Sequence, residues 1–228
     1  AYETQYTNGE YTVTITGFAS GDGNKEQVEI PDTINGMKVT KVAANAFSND
    51  YNKIKNVIIG ANVSEIGKQA FATTKGSVSD GTLESVTFKA GVPVEVGERA
   101  FQKYGTSLKT FDAGNREITL GNNVLLDDRA LDYVNIPNVT ALGVGMFYNR
   151  QAGGAGVLVI NGEATCDLLT FKSTTGSSDN TNTLTKMTVY VVGDEGNDGD
   201  TTAALKNASV NILCLTDGGT FSDETVFE

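Results

Sequence analysis

Few residues of this 228-residue chain have the types and spacing for chemistry, and carboxylates come first. Glu95 with Glu98 and Asp127 with Asp128 are paired acids of the kind that glycoside hydrolysis requires. Histidine is absent altogether. Its absence removes the commonest general base, the Ser-His-Asp and Cys-His arrangements, and most zinc sites. The only cysteines are Cys166 and Cys214. Both stand where a repeated pattern places Val or Ile, so two unpaired buried thiols are expected, with a disulfide between them the alternative. The best metal candidate is calcium at GDEGNDGD (193–200), where Asp194, Asn197, Asp198 and Asp200 offer hard oxygen ligands in a Gly-rich loop. The match to an EF-hand loop is poor, since Gly196 falls at its third position and Leu205 at its twelfth. An acidic turn opening the short helix TTAALKNA (201–208) explains the same residues, because carboxylates favour a helix N-terminus. No cofactor and no metal are expected, and solvated turn charges account for the paired acids.

The elements that carry these residues follow from a period. KVAANAF (41–47), EIGKQAF (65–71), EVGERAF (95–101), TLGNNVL (119–125), ALGVGMF (141–147) and TCDLLTF (165–171) rhyme. Their final residues, Phe47, Phe71, Phe101, Leu125, Phe147 and Phe171, are 24, 30, 24, 22 and 24 positions apart. A period in the twenties marks a solenoid whose coils stack on one another. A second series alternates with the first: IKNVII (54–59), LESVTF (83–88), LKTFDA (108–113), LDYVNI (131–136), AGVLVI (155–160) and LTKMTV (184–189). Its fourth and sixth positions are mostly apolar, as in a half-buried strand. KEQVEI (25–30) and SVNILC (209–214) extend the series at its two ends. The expected fold is a β-rich repeat solenoid of about seven coils with short helical turns, a rod roughly 35 Å long at the inter-strand spacing. Residues 1–25 read as N-terminal capping strands, 26–215 as the solenoid with its closing repeat, and 216–228 as a polar tail or linker.

In each motif the Phe and the Ala before it fill the interior. Gly67, Gly97, Gly121 and Gly143 supply either a special backbone conformation or a close approach, and Ala43 and Asp167 break that column. Two Ser/Thr/Gly-rich insertions, 72–82 and 172–183, leave the same edge of the rod. They are either tolerated surface loops or ligand-facing ones.

Composition narrows the partners. A net charge of −11 argues against nucleic acid and anionic membranes. No apolar run approaches the ~18–20 residues needed to cross a bilayer. The start at Ala1 without Met suggests a processed or truncated chain, and a removed signal peptide is compatible with it. Outward strand positions, the third and fifth of each six, are mostly polar, with Ile58 a lone apolar entry. The exception is Tyr133 beside Val157 and Val159 on adjacent coils, which makes these three the candidate partner-binding residues.

Strand segments such as VEIP (28–31) and VNIP (134–137), followed by a turn of the form apolar-x-x-apolar-Gly-x-x-Ala-Phe, resemble the BspA-like leucine-rich repeats of bacterial cell-surface proteins. The resemblance covers about 26–215. NGEYTVTITGF (8–18) looks like the usual opening of such domains and 184–215 like their closing repeat. It implies a right-handed leucine-rich-repeat superhelix in a secreted or surface-attached bacterial protein, often tied to adhesion to host matrix or other cells. The family offers no catalytic set to transfer. A monomeric protein- or glycan-binding module is therefore expected, with a structural spacer presenting another domain as the alternative and an enzyme least favoured.

Overall fold

The computed structural model describes residues 1–19, 25–48, 53–73, 81–102, 107–147, 156–167, 170–171, 184, 187–193, 199–207 and 212–214. A hairpin opens it: β1 (Tyr2–Thr7) and β2 (Glu10–Ile15) pair antiparallel. The two-residue turn places Asn8 and Gly9 at φ of 53° and 85°, the left-handed values a tight Asn-Gly hairpin needs. Then come β3 (Gln27–Ile30), β4 (Thr33–Ile34), β5 (Met37–Val42), β6 (Asn56–Ile59), β7 (Glu65–Ile66), β8 (Ser85–Phe88) and β9 (Val94–Val96). They are followed by β10 (Thr110–Asp112), β11 (Ile118–Leu120), β12 (Tyr133–Ile136), β13 (Val139–Leu142), β14 (Gly156–Asn161), β15 (Thr165–Cys166) and β16 (Met187–Val192). One helix, α1 (Asp200–Asn207), and β17 (Ile212–Cys214) close the described chain.

These strands form two sheets. One is entirely parallel, in the order β17-β16-β14-β12-β10-β8-β6-β3. The other runs β1-β2-β5-β7-β9-β11-β13-β15, with β4 added to β5. Each coil from β3/β5 to β14/β15 contributes one strand to each sheet, the arrangement of a solenoid. Complete coils number somewhat fewer than the seven expected, because β16 and β17 lack counterparts in the second sheet among the described residues. Strand burial alternates as the period-2 reading requires: Val57 and Ile59, Val86 and Phe88, Val134 and Ile136 all point inward. The inward rows of both sheets meet in one continuous core.

The repeated motif closes the third side of each coil, and here the structure refines the sequence reading. Its turns are single turns rather than helices. Ala70 N–H donates to Gly67 C=O at 3.2 Å and Ala100 N–H to Gly97 C=O at 3.2 Å, and the chain then leaves. It leaves because the fifth motif residue is left-handed: Asn45, Gln69, Arg99, Asn123 and Gly145 have φ of 59°, 55°, 59°, 58° and 71°. The conformational demand thus falls on this fifth residue, and the motif glycine answers the second of the two alternatives, close approach. A Cβ on Gly97 would meet the backbone nitrogen of Lys68 at 2.7 Å, and one on Gly143 that of Asn122 at 2.4 Å. Ala43 starts the column, with no earlier motif turn to press against. The turns also bond coil to coil: Gln69 N–H donates to Glu98 C=O at 3.0 Å and Phe71 N–H to Ala100 C=O at 2.9 Å. We predict that Gly97→Ala costs about 2 kcal/mol by forcing two coils apart. A urea midpoint equal to that of the wild type would contradict this reading.

The insertions are only partly in view. Ala72 and Thr73, counted with the first loop, are buried in the core wall, and Thr82 donates to Ile54 C=O at 2.9 Å. Residues 74–80 and 172–183 lie outside the described residues.

Candidate functional site

The outer face of the eight-stranded sheet divides into two halves. Toward the N-terminus it is mostly polar, with Ile58 a lone apolar residue between Glu29 and Thr87, and side chains are bonded from rung to rung. Ser85 Oγ donates to Asn56 Oδ1 at 2.7 Å, and Asn135 Nδ2 to Asp112 Oδ1 at 2.8 Å. Toward the C-terminus it turns apolar. Tyr133 stands opposite Val157 in the β12/β14 register, and Asn135 opposite Val159. On the next rung Val157 faces Thr188 and Val159 faces Tyr190. Tyr133 is 37% exposed, and Val157, Val159 and Tyr190 are half-buried, as neighbours on a twisted sheet face shield one another. Partial burial, then the charge of Asp112, pushes the Tyr133 hydroxyl above its ordinary range. It therefore stays a neutral hydrogen-bond donor at the edge of the apolar strip.

Tyr190 is the member that sequence reasoning missed. Aligning LTKMTV (184–189) with AGVLVI (155–160) places Lys186 beside Val157, two residues early. The observed register sets Gly156 against Met187 and Val157 against Thr188. A two-residue slip leaves the in/out alternation intact, so the hydrophobic pattern alone does not reveal it. The run MTVYVV (187–192) held the signal, since an unbroken six-residue strand continues to Val192.

The other candidates are dispersed. Glu98 lies in a motif turn, bound to Lys68 Nζ at 2.7 Å and near Arg99 Nε at 3.3 Å. Its bond to Lys68 holds the carboxyl below its ordinary range. Glu95 sits on β9, opposite Glu65 on β7 and Thr119 on β11. With Glu117 these line a shallow cavity of about 360 Å³ whose Glu65 is already engaged by Lys41 at 2.6 Å. Asp127 has a left-handed φ of 65°, whereas Asp128 is fully buried and so is not the solvated turn charge expected of it. Neither acid pair therefore flanks a common cleft. Cys166 is a half-buried free thiol against the core, rather than fully enclosed, and receives the Thr201 hydroxyl at 3.7 Å. Burial pushes this thiol up. The side chain of Cys214 and the calcium candidates Asp194, Asn197 and Asp198 lie outside the described residues. Asp200 opens α1, and among the described residues no group of three acids, histidines or cysteines is placed to hold a metal.

One buried charge had no place among the expectations. Arg116, in the turn between β10 and β11, is 2% exposed. Its guanidinium reaches back across two coils. Nε donates to Val92 C=O at 2.7 Å, Nη1 to Gly60 C=O at 3.0 Å and Lys89 C=O at 3.4 Å, and Nη2 to Ala61 C=O at 3.3 Å and to Val63 C=O. Desolvation lowers its pKa, and the charge of Asp32 opposes that shift. It is a clamp for neighbouring coils and presents nothing to a ligand.

Comparison with known proteins agrees with this geometry. Residues 40–153 match the BspA-type leucine-rich-repeat region in six copies. A leucine-rich cell-surface protein from Faecalibacterium prausnitzii A2-165 shares the fold at a TM-score of 0.51 and 21% identity. That alignment covers 100% of this chain and 56% of the other, so the chain spans about half of that relative's length. A T. pallidum leucine-rich-repeat protein aligns at a TM-score of 0.33 and 16% identity, covering 66% of this chain and 86% of that one. No curated protein matches the sequence. No helix among the described residues is long and apolar enough to cross a membrane. With repeats matched across half its length and stacked as coils, the chain belongs to the BspA-type leucine-rich-repeat family.

Proposed function

We propose that this chain is a protein-binding repeat module of a secreted or cell-surface bacterial protein, serving adhesion to host matrix or to other cells. The observation that carries the reading is the apolar strip of Tyr133, Val157, Val159 and Tyr190, aligned across three coils on a sheet face that is elsewhere mostly polar. A rigid parallel sheet holds such a strip without ordering cost, and Tyr supplies contact area with few torsions to freeze. Family membership supports a surface role, because leucine-rich-repeat solenoids act by presenting faces, and the F. prausnitzii neighbour is described as a cell-surface protein.

The test is a binding screen of the purified domain against immobilised extracellular-matrix proteins, repeated with Tyr133→Ala. The variant is expected to lose about 2 kcal/mol of affinity, roughly thirty-fold, at unchanged thermal stability. Equal capture of wild type and variant would remove this face as the docking surface. No binding to any matrix protein would favour the spacer role.

A further inference from the structure

The nine-stranded sheet ends on a bare strand. β1 has β2 on one side and no strand on the other among the described residues. All six of its residues, Tyr2–Thr7, are exposed. The register decides which backbone groups are free. Thr16 N–H donates to Ala1 C=O at 3.1 Å, and Thr7 pairs with Glu10 across the two-residue turn. In an antiparallel ladder hydrogen-bonded and non-bonded pairs alternate, so Glu3, Gln5 and Thr7 bond to β2. The N–H and C=O groups of Tyr2, Thr4 and Tyr6 therefore point outward along the open edge. Natural sheets blunt such edges with lysines, prolines or bulges. This edge has none of these.

Its two faces differ. Tyr2, Thr4 and Tyr6 share the face of Val13 and Ile15, the face that continues into the core. Tyr6 and Tyr11 meet there at 4.7 Å between ring centroids, tilted by 50°, while 61% and 56% exposed. On the opposite face Glu10 is paired with Lys38 at 3.0 Å, whereas the Glu3 carboxylate has no cationic partner among the described residues.

We propose that the β1 edge is a strand-addition site for an extended, basic segment of a partner protein. The incoming strand satisfies the backbone groups of Tyr2, Thr4 and Tyr6, lays alternate apolar side chains on the tyrosine face, and sets Lys or Arg opposite Glu3. Charge selects this occupant over a second copy of the chain. Two rods of net charge −11 repel, and neither brings a cation to Glu3 through its own β1.

The probe is a short synthetic peptide alternating valine with lysine and threonine, beside a twin with glutamate for lysine, each titrated into the intact chain. The lysine peptide is expected to bind about tenfold more tightly than its twin. Thr4→Pro removes an outward N–H without touching the hairpin bonds and is expected to abolish binding while the circular dichroism stays unchanged. Glu3→Lys, an exposed change that does not depend on proline being accommodated, is expected to reverse the preference between peptides. The proposal is overturned by absence of binding, by equal affinity for both peptides, or by binding that Thr4→Pro leaves intact. A concentration-dependent dimer lost in Thr4→Pro would overturn it too, by giving the edge to a second copy.

Discussion

Arg116→Met is expected to destabilise the solenoid by about 4 kcal/mol, the scale seen when a buried charged group is removed from partners that stay behind. Replacing buried ions with apolar residues is often neutral elsewhere, because both partners are removed together. That escape is closed here. The acceptors are main-chain carbonyls of Gly60, Ala61, Val63, Lys89 and Val92, which no side-chain substitution removes. Gly60 and Ala61 C=O also accept from Val63 and Val92 N–H, at 3.3 and 3.0 Å, and would keep a partner. The Val63 and Val92 carbonyls depend on the guanidinium. Asp32 works from the other side of the same turn, accepting from Ala61 N–H at 2.6 Å, so losing Arg116 leaves the 60–63 segment held from one side only. Arg116→Lys keeps the charge but reaches fewer acceptors, and an intermediate loss is expected. Urea unfolding of the three proteins checks this. A methionine variant within about 0.5 kcal/mol of wild type would show that water replaces the clamp at no cost.

How much of this was legible depended on whether a feature repeats. The phenylalanine and glycine columns announce themselves because stacking forces each coil to present the same residue to the next. The strand rows do so because alternation is a property of each strand alone. Tyr133 beside Val157 could be read by counting, since the coils between them carry no insertion. Tyr190 could not, because the long segment before β16 hides the register by two residues. Arg116 was invisible for a different reason. A lone arginine in a turn reads as a solvated charge, and its partners are backbone carbonyls 24 to 56 residues earlier in the chain. Nothing in a side-chain pattern marks a carbonyl as needing a donor. The β1 edge lay between these cases: the Asn-Gly turn marked a hairpin, but only the sheet order shows that, among the described residues, one side of it stays open.

The phenylalanine column yields the second large effect. Phe71 and Phe101 stack at 5.2 Å and 7°, Phe47 and Phe71 at 4.9 Å and 9°, so ring spacing follows the rise between coils. At Leu125 the column loses its ring. Phe111, from the facing sheet, turns its edge to Phe101 at 5.7 Å and to Phe88 at 5.5 Å, tying the two layers together beside that step. Phe101 is fully buried and touches both systems. Phe101→Ala is therefore expected to cost about 4 kcal/mol, while Phe101→Leu costs about 1 kcal/mol, because the next coil already closes with leucine. The damage should also be local. Coils in a solenoid are coupled only to their neighbours, so hydrogen exchange in the alanine variant should rise in β7, β9 and β11 and stay nearly unchanged in β1 and β2. Uniform exchange along the whole rod would mean that the chain unfolds as one cooperative block. Equal losses for alanine and leucine would mean that ring stacking, rather than filled volume, holds the column.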